Sequence, residues 1–194
     1  MQFTDASFIY RIMGIDNGSS NLGIAVLELD LRSGEYTVLY TRTLIAEKLL
    51  RERRISTASH GSRWERQNIL KEELGKELWF HNPHNVAVET PFFMPRRVQS
   101  FETLTEMMIF IRQAVYDYSG NDIYGVSPGE AKRAVQTEKF TMKKDAIKDC
   151  VLNLNNLIWK EGIQKGNLTE HEYDAIAVAR AHGEAIRKAT GFVR

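Results

Sequence analysis

Three short runs of branched and aromatic residues near the start of the chain constrain its fold most strongly. They read FIYRIMGID (8–16), LGIAVLEL (22–29) and EYTVLYTRTLI (35–45), and short segments containing glycine and serine separate them. Strand-forming runs joined by tight turns pair with their neighbours in antiparallel order. The sequence therefore predicts a three-stranded antiparallel meander.

After the meander, helical and strand-like patterns alternate along the chain. Strands are predicted over 84–91 and 121–128, and helices over 63–80, 98–118, 143–159 and 168–190, with a further helix beginning after Ser127. Ser127 and Thr169 are the predicted N-caps of the helices that follow them. The polar segment 51–62 is predicted to be a surface loop. This order predicts an α/β fold: a five-stranded mixed sheet flanked by helices, in one domain over residues 1–194.

The composition is that of an ordinary globular protein, with 43% hydrophobic and 26% charged residues. No apolar stretch approaches the roughly 18 residues of a membrane span, and the first residues carry an acid where a signal peptide is basic. We therefore expect no membrane partner and a cytoplasmic location. Cys150 is the only cysteine, which excludes an internal disulfide, and we predict it to be a core residue.

Three acids stand where an ordinary structural role is hard to assign. Asp16 ends the first strand, Glu89 ends the fourth, and Asp174 lies in an apolar helical segment three residues after His171. That spacing places His171 and Asp174 on one helix face. Taken singly, Asp16 could be a turn residue, Glu89 a strand-end residue and Asp174 an exposed helix residue. Together they predict an oxygen-rich site for hard divalent cations.

Such a site has a definite chemistry. Close carboxylates repel, and a divalent cation removes the repulsion. Two ions roughly 4 Å apart can activate a water and stabilise the leaving oxygen of a phosphodiester. We therefore predict two Mg²⁺ ions, with Mn²⁺ as a substitute, held by the catalytic residues Asp16, Glu89, His171 and Asp174. Glu170 is a competing ligand that the sequence leaves open.

These residues lie in motifs that resemble those of RuvC-type Holliday junction resolvases. GIDNGSSNLGIAVLE resembles the first-strand motif of that family, VAVETPFF the strand that carries its glutamate, and HEYDAIAVARAH its terminal signature. YGVSPGEAKRAV and KKDAIKDCV are similar to the lysine-bearing segments between them. The matches occur in the family's order and span residues 11–182.

The resemblance implies a ribonuclease-H-like fold, a homodimer, and magnesium-dependent paired nicking of a four-way DNA junction. The metal ligands would be the four residues named above. Phe92 would stack on an unpaired base, although core packing is an equally open role for it. The DNA-facing basic residues would be Arg96, Arg97, Lys132, Lys139, Lys143 and Lys144. We expect the helix over 98–118 to form the dimer interface.

The chain also departs from the family's pattern. Asn17 replaces a common proline, and the loop after Glu89 is basic through Arg96 and Arg97, which hints at a phage-encoded member that cuts branched DNA broadly. The host would be a bacterial or phage-infected cell. Three alternatives stay open: a nuclease for RNA–DNA hybrids or flaps, a junction-binding protein without catalysis, and an actin-like or sugar-kinase-type phosphotransferase. The last class needs a second strand–aspartate–glycine loop, which this sequence lacks.

Overall fold

The computed structural model describes residues 8–56, 61–93, 95–96, 98–136 and 146–192. The strands are β1 (Ile9–Asp16), β2 (Asn21–Asp30), β3 (Tyr36–Ile45), β4 (Asn85–Glu89), β5 (Tyr124–Val126) and β6 (Leu157–Trp159). The helices are α1 (Ala46–Glu52), α2 (Ser62–His81), α3 (Val98–Ser119), α4 (Pro128–Val135), α5 (Ala146–Leu152) and α6 (Glu170–Thr190). A 3₁₀ turn covers Lys165–Asn167.

The strands form one mixed sheet in the order β5-β4-β1-β2-β3-β6. Antiparallel pairing of β1 with β2 and of β2 with β3 confirms the predicted meander. β4 runs parallel to β1, with Ile15 opposite Val88, and β5 runs parallel to β4. The carboxyl ends of β1, β4 and β5 therefore lie at one edge of the sheet.

The predicted count of five strands was wrong, because the segment predicted as one helix over 143–159 contains a shorter helix followed by a strand. α5 ends at Leu152, and residues Leu157–Trp159 form the sixth strand, parallel to β3. Asn156 explains the change: its carbonyl accepts from the Tyr36 N–H at 2.9 Å, and its side-chain amide donates to the Gly34 carbonyl at 2.9 Å. Both bonds hold the following residues against the open edge of β3.

The segment 51–62 also differs from the predicted loop. Arg51 and Glu52 complete α1, whose Leu49 and Leu50 pack into the core, and Ser62 begins α2. Between them, residues 53–54 form a turn in which Arg54 has a φ of 54°, and residues 57–60 of the predicted loop lie outside the described residues.

Two layers of helices cover the sheet. One face packs against α4, α5 and α6, and its core includes the buried Cys150, as predicted. The other face packs against α1, α2 and α3. Along β1, Ile12 belongs to the first core and Met13 and Ile15 to the second, since side chains alternate between the faces of a strand. No helix in the described part of the chain is long and apolar enough to cross a membrane.

Candidate active site

Two neighbouring parallel strands supply the first pair of acids. Asp16 and Glu89 each stand one residue beyond the paired residues Ile15 and Val88, at the carboxyl edge of the sheet. The two side chains lie close enough that the charge of Asp16, after burial, contributes to raising the pKa of Glu89. Asp16 is almost buried, with 8% of its surface exposed. The strand pairing thus brings together two carboxyl groups that are 73 residues apart in the sequence.

Helix α6 supplies the other two residues, and its position is fixed at its first turn. Thr169 caps it in a reciprocal capping box with Glu172, which confirms the predicted cap. The Thr169 hydroxyl also lies 2.6 Å from that of Thr43 on β3. A Cβ added to Gly23 of β2 would lie 2.2 Å from the His171 carbonyl oxygen. Only glycine at position 23 lets α6 approach the sheet this closely.

The close approach joins α6 to β1 by a direct hydrogen bond. His171 Nδ1 lies 2.6 Å from Asp16 Oδ2. Because an ionised carboxylate only accepts hydrogen bonds, Nδ1 carries the proton of this bond. The bond to Asp16 raises the pKa of His171 above its usual value. Asn21 Nδ2 lies 3.5 Å from the other ring nitrogen, Nε2.

The acids perturb one another strongly. Burial, followed by the charge of Asp16 and its hydrogen bond, raises the pKa of Glu89 to about 8. Burial, followed by the charge of Asp16, raises the pKa of Asp174 to about 6. Lys132 lies near enough to oppose both shifts. Raised pKa values of two neighbouring acids show that the site stabilises the charged carboxylates poorly. Acids with such shifted pKa values concentrate at functional sites.

The donor set suits a hard divalent cation, because carboxylate oxygens predominate and their mutual repulsion would be relieved by positive charge. Among the described residues, no group of three or more Asp, Glu, His or Cys side chains is already arranged to hold a metal ion. Asp16 instead accepts a hydrogen bond from His171, and its charge acts on Glu89. A cation held by Asp16 and Glu89 would relieve the repulsion between these acids.

The predicted DNA-facing residues fall into two groups. Phe92, Arg96 and Lys132 are exposed, and the 65% exposure of Phe92 rules out the core role that the sequence left open. Arg97, Lys139, Lys143 and Lys144 lie outside the described residues.

A cleft of about 210 Å³ opens beside Glu89. Its lining includes Asn17, Thr90, Phe92, Phe101 and Leu104. The cleft lies between the end of β4, the first turns of α3 and the start of α4. Aromatic and apolar side chains therefore line a surface next to the acids, where a planar group could enter.

Two asparagines of the site were not predicted as functional. Asn21 follows Asp16 by five residues and reaches His171, and no pattern in the sequence marks it. Asn17 was noted only as a departure from a motif, yet it is 7% exposed and lines the cleft. A buried asparagine directly after a strand-end aspartate is the one signal that could have identified it.

No family model matches this chain. No curated protein matches it either.

Solved structures do match. RuvC of T. thermophilus in complex with Holliday junction substrate is 22% identical, covers 93% of this chain and 97% of its own, and has a TM-score of 0.69. The yeast mitochondrial Holliday junction resolvase is 14% identical, with coverage of 93% and 81% and a TM-score of 0.62. The Fowlpox virus resolvase with substrate Holliday junction DNA is 12% identical, with coverage of 90% and 99% and a TM-score of 0.54. At these identities the likeness establishes the fold: this chain has the ribonuclease-H-like fold of RuvC, as predicted.

Proposed function

We propose that this chain is a metal-dependent endonuclease, one nuclease domain over residues 1–194, that nicks four-way and related branched DNA near the crossover. One observation carries the proposal: Asp16, His171 and two acids with raised pKa values, Glu89 and Asp174, interact at the carboxyl edge of a sheet with the RuvC fold. Two of the matched structures are complexes with a Holliday junction substrate.

Asp16, Glu89, His171 and Asp174 would hold the metal, Mg²⁺ or Mn²⁺, as a pair of ions. Bound there, the ions would activate a water and stabilise the leaving oxygen of the phosphodiester. Asp16 interacts with the other three residues, so it would be central to the ligand set. His171 donates Nδ1–H to Asp16, which holds the imidazole ring beside that carboxylate.

Residues around the acids would hold the DNA. Lys132 on α4 lies close enough to influence Glu89 and Asp174, and a phosphate at the site would meet its charge. Phe92 offers an exposed ring for an unpaired base, since stacking on an aromatic ring stabilises a base by about 1–3 kcal/mol. Arg96 adds an exposed cation four residues further along the loop. Arg97, Lys139, Lys143 and Lys144 complete the proposed DNA-binding set.

We propose a homodimer, because helices α2 and α3 expose several large apolar side chains. These are Trp64, Trp79, Phe80, Ile109 and Tyr116, which are 50–83% exposed and define what we term the α2–α3 surface. Ile109 and Tyr116 are seven residues apart and share one face of α3. Exposed apolar groups gathered on neighbouring elements are typical of protein–protein contacts.

A labelled four-way junction tests the activity. With Mg²⁺, the wild-type protein should place symmetric nicks in two opposite strands near the crossover. The Asp16→Asn variant should bind the same junction and cut it at least 100-fold more slowly. A Glu170→Gln variant in the same assay decides whether Glu170 contributes to the site.

The same assay separates the alternatives. Equal cutting of linear duplex, RNA–DNA hybrid or flap substrates would show a nuclease of another substrate class. Junction binding without cutting, at any concentration of Mg²⁺ or Mn²⁺, would show a binding protein. Either result contradicts the proposal.

A further inference from the structure

Asn21 is the first residue of β2, and its side chain lies on the face of the sheet that α6 covers. Along this strand, Ala25 packs in the core beneath α6, whereas Ile24 packs in the other core. Because side chains alternate between the two faces of a strand, Gly23 and Asn21 share the α6 face with Ala25. A Cβ added to Gly23 would overlap the His171 carbonyl oxygen, so the first turn of α6 lies directly over this part of β2.

The amide of Asn21 meets the imidazole ring of His171 at the end away from Asp16. His171 Nδ1 lies 2.6 Å from Asp16 Oδ2, and His171 Nε2 lies 3.5 Å from Asn21 Nδ2. The His171 side chain is 28% exposed, so packing alone does not hold the ring. Contacts at both nitrogens define the orientation of the ring more tightly than the Asp16 contact alone.

A structural role in the β1–β2 turn does not account for the side chain of Asn21. Asparagines beside turns often stabilise them by hydrogen bonding to nearby backbone groups. In the described part of the chain, the Asn21 amide contacts the His171 ring and makes no hydrogen bond to the turn. The backbone keeps the turn tight instead, since a Cβ added to Gly18 would overlap the Asn21 carbonyl oxygen. The turn therefore needs the backbone of Asn21 but not its amide.

An amide suits this contact because it carries both a donor and an acceptor. A neutral ring that donates from Nδ1 has a lone pair at Nε2, which the NH₂ group of Asn21 can meet. A protonated ring carries a hydrogen at Nε2, which the amide oxygen can accept after the amide group turns over. Asn21 can therefore hold the ring in either state, and an apolar side chain can hold it in neither.

We propose that Asn21 is a positioning residue, whose amide holds the His171 ring, and through the ring the Asp16 carboxylate, in the orientation that the acidic site needs. The inference rests on the proposed function, since this orientation matters only if Asp16 and His171 act on a metal ion. Removing a group that orients a metal-binding side chain typically lowers metal affinity or activity by roughly 10–100-fold.

The contact is tested first in EDTA, without any metal. In protein labelled with ¹⁵N-histidine, the Nε2 resonance of His171 reports on the group next to it. Asn21→Leu keeps the branching of the side chain and removes the amide, so this resonance should move. Asn121→Leu is the matched control, because Asn121 is an exposed asparagine in the loop before β5, and it should leave the resonance in place. An unmoved resonance in Asn21→Leu overturns the inference.

The effect on the site is tested by separating metal binding from DNA binding. Asn21→Leu should bind Mn²⁺ about tenfold more weakly in calorimetry and nick a four-way junction at least tenfold more slowly. It should bind the junction in EDTA as tightly as the wild-type protein does. Asn21→Gln keeps an amide on a half-buried side chain and should restore most of the Mn²⁺ affinity, whereas Asn121→Leu should lose none.

The outcomes distinguish this inference from the nuclease proposal. Wild-type Mn²⁺ affinity in Asn21→Leu, or an affinity as weak in Asn21→Gln as in Asn21→Leu, overturns the positioning role and leaves the nuclease proposal intact. Weaker junction binding in EDTA together with a lower free energy of unfolding would show that Asn21 supports the fold instead. A wild-type protein that binds no Mn²⁺ and cuts no junction contradicts the nuclease proposal itself.

Discussion

At Asp16, a structural role and a metal-binding role predict opposite effects on stability. A turn aspartate stabilises the fold through its hydrogen bonds, whereas the charge of Asp16 adds to the burial that raises the pKa of Glu89 and of Asp174. We expect the repulsion among the acids to outweigh the hydrogen bond that Asp16 accepts from His171, so Asp16→Asn should raise the free energy of unfolding in EDTA at pH 8 by about 1 kcal/mol while it slows the proposed nicking. Chemical denaturation measures the difference.

Asp30 is the matched control for that prediction. It accepts backbone hydrogen bonds from Arg32 at 2.8 Å and from Ser33 at 3.4 Å, as a turn aspartate does. Asp30→Asn should destabilise the protein by about 0.5–1 kcal/mol. If Asp16→Asn loses stability as Asp30→Asn does, the hydrogen bond from His171 to Asp16 outweighs the repulsion among the acids, and the expected gain in stability is contradicted.

His182 makes stability depend on pH at a position outside the acidic site. Its ring packs against that of Tyr124 with 4.2 Å between centroids, and neither ring nitrogen has a hydrogen-bond partner among the described residues. Burial lowers the pKa of His182 to about 4. The unfolded chain, with a histidine pKa of about 6.5, therefore binds a proton that the folded chain resists.

The consequence is a loss of stability as the pH falls from 6.5 towards 4, of up to about 3 kcal/mol from this residue. His182→Leu keeps a similar side-chain volume and should lose this part of the pH dependence. Unfolding free energies at pH 7, 6 and 5 compare the two proteins. The same slope in both would assign the pH dependence to other groups.

At the scale of the elements, the contact of α6 with the sheet positions the site. In Gly23→Ala, the new Cβ would lie 2.2 Å from the His171 carbonyl, so α6 must move away from β2 and His171 from Asp16. We expect a loss of about 1–3 kcal/mol in stability and weaker binding of Mn²⁺, measured by calorimetry.

Gly75 in α2 provides the matched control, because a Cβ there meets no atom within 4 Å. Gly75→Ala should gain up to about 1 kcal/mol, as an added methyl group does in an open helical position, and should leave Mn²⁺ binding unchanged. Equal effects of the two substitutions would show that α6 does not need its close approach.

The sequence predicted the elements that depend on nearby residues. It did not predict the element whose conformation depends on pairing with a segment far away in the chain. The meander, the Ser127 and Thr169 caps and the long helices follow from periodicity and from capping residues within a few positions. β6 depends on the open edge of β3, more than a hundred residues earlier, and no local pattern shows that edge. The three apolar residues of β6 fit a helix or a strand equally well.

The same distinction holds for the site. Asp16, Glu89, His171 and Asp174 could be grouped because each is an acid or histidine in an apolar setting, and the structure brings them together. The burial of Asn17 beside the acids could not be predicted, because its side chain is held by a carbonyl of α3, 87 residues away. A polar side chain that hydrogen bonds to a distant backbone group cannot be recognised from a sequence pattern, because any residue can supply that backbone group.

For the whole molecule, the net charge of +1 leaves no general attraction for DNA, so binding must depend on local cations and on geometry. A four-way junction has two equivalent sites of cutting, which a two-fold symmetric dimer would meet with two acidic sites. The α2–α3 surface lies on the face of the sheet opposite α6. A subunit contact there leaves His171 and Asp174 uncovered.

Ile109→Ser with Tyr116→Ser tests whether that contact exists and whether it matters. Both side chains are 64% exposed, so their replacement should change the stability of the folded chain little while removing apolar area from the contact. We expect the wild-type protein to sediment as a dimer and the double variant as a monomer at the same concentration. Because one monomer carries one site, the double variant should make single, uncorrelated nicks in place of paired nicks.

Ile158→Ser is the matched control, because Ile158 lies on the edge strand β6 and is 48% exposed. This variant should remain dimeric and keep the paired cuts. A double variant that stays dimeric places the interface elsewhere, and a wild-type monomer that still makes paired cuts contradicts the dimer itself.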